Sequence, residues 1–211
     1  MDGLRKNINN ALEQSITYEE YLTLMQQYAL DGKTSGTDQR QNLIDFTKLN
    51  AFRMQRLDKT TAIQTEILKD VMSVKNAQTW LVLTETWCGD AAQNLPILNK
   101  LSLANDRIDL RLVFRDEHPE LMSQFLTNGG KSIPKLISLD KEHNVLFTWG
   151  PRPVPAQEMV MDFKNGIQGS KTYSDISMEI QKWYVSDKSK TLQAEMWQHL
   201  KASCSKVATV K

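Results

Sequence analysis

The chain of 211 residues is 40% hydrophobic and 24% charged, a composition typical of folded globular proteins and not of disordered or membrane proteins. Its net charge of +1 gives no indication of the concentrated basic surface with which proteins bind nucleic acid or anionic lipid. Two cysteines make no disulfide framework, and the lack of a secretory signal or a membrane-length apolar run predicts a cytoplasmic protein.

Three helices are predicted ahead of the first strand. Thr17 and Glu20 have the spacing of a capping box, in which each side chain satisfies a backbone donor of the other residue, and they open the first helix. Apolar residues at helical spacing predict all three. The predicted segments are 17–30, 38–57 and 61–74. Residues 1–75 are therefore interpreted as a helical N-terminal extension.

Strands and helices alternate in the next part of the chain. The predicted strands are 79–85, 108–114, 134–139 and 145–149, and the predicted helices are 90–104, 117–127 and 154–165. The initial strand–helix–strand unit implies two parallel strands, and the short link at 140–144 implies an antiparallel hairpin. The predicted fold class is α/β, with a mixed four-stranded sheet flanked by helices.

A second extension is predicted at the C-terminus. Residues 165–170 form a glycine-containing break, and a long amphipathic helix is predicted over 174–200. Residues 171–211 are interpreted as a C-terminal helix and tail. Both extensions are expected to pack on one core at 76–165, so that residues 1–211 form a single domain.

The most informative motif is Trp87-Cys88-Gly89-Asp90-Ala91, which lies between a predicted buried strand and a predicted helix. A cysteine at a helix start meets unpaired backbone N–H groups and the positive end of the helix dipole. Both favour a negative charge, so we expect the pKa of the Cys88 thiol to be lowered and its reactive thiolate to be more abundant.

The chain resembles the thioredoxin superfamily. The resemblance rests on the Trp87-Cys88 pair, on Pro96 in the following helix, on the Ile133-Pro134 pair and on Gly150. The resemblance covers residues 76–165. Among subfamilies, the motif sequence is most similar to that of bacterial thioredoxin-like proteins. It implies that Pro134 is a cis-proline beside the reactive sulfur. Ala91 stands where the family's dithiol enzymes carry their second cysteine.

The resemblance implies a single catalytic cysteine, Cys88. A lone thiolate that attacks a disulfide forms a mixed disulfide, which must then be released by an external thiol or by the substrate's own second thiol. Glutathione or another low-molecular-weight thiol is the expected co-substrate, with a protein disulfide or a small-thiol adduct as substrate. Oxidation of the sulfur by a peroxide is a further route. Cys204 is the other candidate partner, although it lies in a predicted tail.

A different hypothesis requires no redox chemistry. A thioredoxin-like module can hold a peptide or protein in the groove between Trp87 and Pro134 while its cysteine stays inert. The sequence leaves open whether the protein is a monothiol oxidoreductase or such a binding module. In both cases the candidate substrate-binding residues are Trp87, Asp90, Ile133 and Pro134.

The other charged candidates each have two interpretations. Asp90 is either a first-turn residue stabilised by the helix dipole or a carboxylate that relays protons and opposes thiolate formation. Arg115 and Asp116 are expected to form a surface ion pair, with substrate contact as the alternative. Arg152, after the last predicted strand, is a candidate ligand for an anionic thiol such as glutathione.

No metal site or bound cofactor is expected. The three histidines, His118, His143 and His199, lack the spacing of metal ligands. Gly129-Gly130-Lys131-Ser132 lacks the upstream glycine of a phosphate-binding loop and is interpreted as a turn before Pro134.

Overall fold

A mixed sheet lies at the centre of the structure, a computed structural model that describes the backbone of residues 2–208 and the side chains of residues 3–203. Its four strands are β1 (Gln78–Thr84), β2 (Ile108–Phe114), β3 (Lys135–Leu139) and β4 (Val145–Trp149). Their spatial order is β2-β1-β3-β4, with β1 parallel to β2 and β3 antiparallel to both of its neighbours. The predicted α/β fold class is confirmed.

Helices precede, flank and follow the sheet. Those before it are α1 (Asp2–Glu13), α2 (Tyr18–Asp31), α3 (Gln41–Thr60) and α4 (Thr65–Met72). Those of the core are α5 (Gly89–Leu103), α6 (Pro119–Ser123) and α7 (Val154–Lys164), and those after it are α8 (Tyr173–Asp187) and α9 (Lys190–Ala208). None of these helices, within the part of the chain described, has the length and apolar character needed to cross a bilayer.

Local sequence explains where α2 begins and ends. The Thr17 hydroxyl oxygen accepts from the Glu20 backbone N–H at 3.2 Å, and the Glu20 carboxylate accepts from the Thr17 N–H at 2.7 Å, which is the predicted capping box. Gly32 ends the helix with φ 63°, a left-handed conformation that glycine adopts without steric cost.

Two predicted helices differ from those observed. The long helix over 174–200 is two helices, α8 and α9, because Lys188 and Ser189 take φ values of 54° and 63° and turn the chain. The helix over 117–127 is a short 3-10 turn at Arg115–Glu117 followed by α6. Helix α1 was not predicted. One isolated antiparallel bridge joins Ile16, ahead of α2, to Leu112 of β2.

The hydrophobic core joins the sheet to both extensions. Strand β1 is almost fully buried, as are the α5 side chains that pack on it. The same cluster includes Ile8, Tyr21 and Met54 from the N-terminal helices and Met196 from α9. A smaller cluster forms between α7 and α8. The chain leaves the carboxyl end of β1 at residue 85. This end of the strand is therefore held in place by packing of the sheet against both extensions.

Candidate functional site

Buried hydrogen bonds fix the loop that carries Cys88. Thr86 is fully buried; its N–H donates to the Ser35 hydroxyl at 2.9 Å, and its carbonyl accepts from the Asn50 side-chain amide at 2.9 Å. Glu85, also fully buried, accepts from the Ser35 hydroxyl and from the Asp116 N–H at 3.0 Å. Burial raises the pKa of the Glu85 carboxyl.

Cys88 is the N-cap residue of α5. Its sulfur accepts from the Ala91 N–H at 3.4 Å, and its thiol donates to the Ile133 carbonyl at 3.2 Å. The Ile133–Pro134 peptide bond is cis. The fold therefore brings together the two segments named here, the Trp87–Ala91 motif and the Ile133-Pro134 pair, around a cysteine that is only 7% exposed.

The predicted lowering of the Cys88 pKa is wrong for this structure. Burial raises the pKa of the thiol to about 12, and the nearby Asp90 carboxylate acts in the same direction. The backbone N–H groups of Ala91 and Asp90 and the Arg152 guanidinium favour the thiolate but do not outweigh burial. The helix start was placed correctly, whereas the depth at which the sulfur lies is not visible in the sequence.

Asp90 belongs to a part-buried polar network. One carboxylate oxygen accepts from Arg152 Nε at 2.9 Å and Nη2 at 2.6 Å, and the other accepts from the Tyr184 hydroxyl at 2.9 Å. Tyr184 also accepts from the Asn94 amide at 2.9 Å. The side chains of Arg152 and Asp90 are 10% and 13% exposed. Asp90 therefore links α5 to the β4–α7 loop and to α8, in addition to opposing thiolate formation.

Arg115 forms the expected ion pair and also contacts the site. Its guanidinium lies 2.7 Å from an Asp116 carboxylate oxygen. The same group lies 5.1 Å from the centre of the Trp87 ring and donates to the Lys131 carbonyl at 3.2 Å. Arg115 thus connects the end of β2 with the two loops that flank Cys88.

A cavity of about 340 Å³ opens beside Cys88. Of the four predicted substrate-binding residues, Trp87, Asp90 and Ile133 line it, whereas Pro134 is buried and is not among the lining residues. Two further walls come from side chains of α3, such as Phe46 and Arg53, and of α8, such as Ser177 and Gln181.

Nothing in the sequence indicates these two walls. Arg53, Gln181 and Tyr184 lie far from the motif along the chain, and nothing in their spacing relates them to Cys88. Lys131, interpreted as part of a turn, also lines the cavity. Only the packing of α3 and α8 on the core brings Arg53, Gln181 and Tyr184 to the neighbourhood of the cysteine.

The histidines lie apart from Cys88. His118 is buried, His143 hydrogen-bonds Asn9 at 2.7 Å, and the His199 ring stacks on Phe147 at 4.9 Å. No group of three or more metal-ligating side chains occurs among the residues whose side chains are described. Cys204 lies outside those residues.

Comparison with known proteins identifies the fold. A family model described as thioredoxin matches residues 36–164. A crystal structure of a protein of unknown function from Pseudomonas aeruginosa is 16% identical, with a TM-score of 0.55 over 75% of this chain and 86% of that chain. The crystal structure of an HIV epitope-scaffold is 17% identical, with a TM-score of 0.53 over 88% of this chain and 98% of that chain. Both show similarity of fold alone. None of the curated proteins matches this chain.

Proposed function

This chain belongs to the thioredoxin family, and on that premise we propose that it exchanges disulfides through a single cysteine. Cys88 is the reacting group, and glutathione or another low-molecular-weight thiol completes each cycle. The observation that supports the proposal is the position of the Cys88 sulfur. It lies at the start of α5, against the Ile133 carbonyl and on the wall of a cavity.

The proposed exchange conserves atoms and electrons. The Cys88 thiolate attacks one sulfur of a disulfide, a new S–S bond forms as the old one breaks, and the departing thiolate takes up the proton that Cys88 lost. Because Ala91 has no sulfur, the mixed disulfide persists until an external thiol attacks the substrate sulfur. That step returns Cys88 to a thiol and leaves the external thiol in a disulfide with the substrate.

The burial of Cys88 determines how fast this exchange runs. With a pKa of about 12, about one molecule in 10⁵ carries the thiolate at pH 7. Exchange is therefore slow in this conformation and accelerates as the pH rises. Oxidation by a peroxide also starts from the thiolate and is slowed to the same extent.

The same burial supports a second candidate function, a binding module without redox turnover. Such a module needs the cavity beside Trp87, Asp90 and Ile133 but not a reactive sulfur. A thiol that is 7% exposed and hydrogen-bonded to a carbonyl is well suited to a structural role.

One experiment separates the two candidates. The protein is incubated at pH 8 with bis(2-hydroxyethyl) disulfide, and adducts are located by proteolysis and mass spectrometry. Exchange predicts an adduct on Cys88 that glutathione removes. The Cys88→Ser variant shows how much of the signal comes from Cys204. Modification of Cys204 with Cys88 unmodified would contradict the exchange function and leave the binding module.

A further inference from the structure

The wall of the Cys88 cavity carries more positive than negative charge. Four cationic side chains line it, Arg53, Arg115, Lys131 and Arg152, against one carboxylate, Asp90. Asp90 pairs with Arg152, and Arg115 pairs with Asp116. Among the residues whose side chains are described, no ion pair includes Arg53 or Lys131. The cavity therefore has cationic groups to which none of the described side chains supplies a counterion.

Arg53 is better placed than Lys131 to bind a ligand beside Cys88. It is half-buried, whereas Lys131 is exposed. Its Nη1 donates to the Asn50 side-chain oxygen at 3.1 Å, and Asn50 in turn donates to the Thr86 carbonyl just before the motif. A Cβ added at Gly89 would lie 3.6 Å from the same Nη1. The guanidinium thus lies over the first residue of α5, next to Cys88.

A half-buried guanidinium without a counterion is incompletely solvated and has N–H donors left after its one bond to Asn50. Burial, with a contribution from Arg56, lowers the pKa of Arg53, although the group stays protonated at neutral pH. A carboxylate in the cavity would accept from these donors in the two-bond geometry that guanidinium groups favour.

The size of the site favours a small molecule over a folded protein. Its volume of about 340 Å³ is at the lower end of the range for small-molecule sites, about 300–1,000 Å³. Side chains of α3 and α8 also line the site, and the cysteine is only 7% exposed. A disulfide on the surface of a folded protein therefore has little room to reach the sulfur.

We infer that the cavity selects small anionic disulfides and thiols, with the Arg53 guanidinium binding their carboxylate while Cys88 exchanges with their sulfur. This inference rests on the proposed exchange function and adds its substrate class. In each reaction Cys88 takes one sulfur of the disulfide, and the other half leaves as a thiol carrying the proton from Cys88. The carboxylate takes no part in the exchange of bonds and electrons. It serves only to bind the substrate and to orient its sulfur.

Three disulfides of similar size test the charge preference. They are dithiodiglycolate, a dianion, bis(2-hydroxyethyl) disulfide, which is neutral, and cystamine, a dication. The rate of adduct formation on Cys88 is divided by the rate of the neutral thiol N-acetylcysteinamide with the same disulfide. We expect the corrected rate for dithiodiglycolate to exceed that for cystamine by about tenfold or more at low salt, and the ratio to fall as salt is added.

Variants on α3 assign the preference to Arg53. Arg53→Gln is expected to bring the ratio within about threefold of unity, and Arg53→Lys to restore part of it. Lys48→Gln removes the same charge from an exposed position of α3 outside the cavity, and it should keep the wild-type ratio. Equal corrected rates in the wild type, or an unchanged preference in Arg53→Gln, would overturn the inference.

A binding measurement keeps the two proposals separable. If none of the disulfides modifies Cys88, the exchange function is wrong, and calorimetric titration of the Cys88→Ser variant with dithiodiglycolate decides the anion site. Binding that the additional Arg53→Gln change abolishes and Lys48→Gln preserves supports the site. Absence of binding, or binding indifferent to Arg53, overturns it.

Discussion

Two opposing influences act on the Cys88 sulfur. The first turn of α5 offers it the Ala91 N–H, which favours the thiolate. Burial and the Asp90 carboxylate favour the thiol, and their combined effect is larger. The thiol's hydrogen bond to the Ile133 carbonyl is consistent with the protonated form, because a thiolate has no proton to donate. The reactivity of this residue is therefore limited by desolvation, despite its place at a helix start.

The pH dependence of alkylation tests this balance. Since only the thiolate reacts, the rate of Cys88 modification by iodoacetamide should rise about tenfold per pH unit from pH 7 to pH 10, without levelling near 8.5. Peptide mapping by mass spectrometry follows Cys88 separately from Cys204. The protein unfolded in urea is the control, and there the rate should level near the ordinary pKa. A plateau below pH 8.5 in the folded protein would contradict the raised pKa.

Asp90→Asn tests the contribution of the carboxylate. Removing its negative charge should lower the pKa of Cys88, so that alkylation at pH 8 becomes faster and its pH profile moves to lower pH. The change also leaves the buried Arg152 without its counterion, which should cost about 3–5 kcal/mol of unfolding free energy. Alkylation profiles and urea denaturation measure the two effects.

Tyr184→Phe is the matched control for Asp90→Asn. It removes the hydroxyl that donates to Asp90 and leaves the carboxylate and Arg152 in place. We expect a loss of about 1–2 kcal/mol in stability and a smaller change in the alkylation profile. Equal profiles for the wild type and Asp90→Asn would show that the carboxylate does not act on the sulfur.

At the scale of secondary-structure elements, the motif and its surroundings differ in how far they could be predicted. Cys88, Ala91 and Pro134 could be placed because a strand-to-helix junction and a proline before a strand are local patterns. Arg53 and Tyr184 could not be placed, because their distance from Cys88 depends on how α3 and α8 dock. The break at Lys188 involves neither glycine nor proline, so amphipathic spacing alone predicted one continuous helix.

The start of α5 places residue 91 one helical turn after Cys88. Ala91 is fully buried and its N–H points at the Cys88 sulfur. Ala91→Cys should therefore form an intramolecular disulfide, because residues three apart at a helix start meet the Cα separation of about 4.4–6.8 Å that a disulfide needs. Intact-mass analysis detects the bond.

Ala104→Cys is the control for Ala91→Cys. Ala104 is the C-cap residue of α5, sixteen residues from Cys88, so a cysteine there lies at the other end of the helix, beyond the reach of a disulfide. It should form no disulfide with Cys88. Failure of Ala91→Cys to form the bond would show that the helix start does not have thioredoxin geometry. An intramolecular disulfide in the wild-type protein would instead point to a resolving thiol elsewhere, with Cys204 the first to test.

At the scale of the whole molecule, the cavity depends on the extensions as much as on the sheet. The core supplies Cys88, Ile133 and Arg152, whereas α3 and α8 supply the opposite walls. Helix α3 is held by Met54, which lies in the same hydrophobic cluster as β1. The cavity should therefore persist as long as the core is folded, and the expectation that residues 1–211 form one domain stays a prediction that cooperativity can test.

Met54→Ala tests whether α3 and the core unfold together. Met54 is fully buried, so its truncation should cost about 2–5 kcal/mol. Phe52→Ala on the same helix is the control; Phe52 is 72% exposed, and its removal should change stability by no more than about 0.5 kcal/mol.

Urea denaturation is followed by tryptophan fluorescence, which includes the fully buried Trp80 of β1, and by the alkylation rate of Cys88. If the extension and the core are one cooperative unit, both probes report one transition, and Met54→Ala moves it to lower urea with an unchanged slope. A variant in which Cys88 becomes rapidly alkylated while the fluorescence transition stays in place would show that α3 detaches alone, and the cavity would then be a property of the extension and not of the fold.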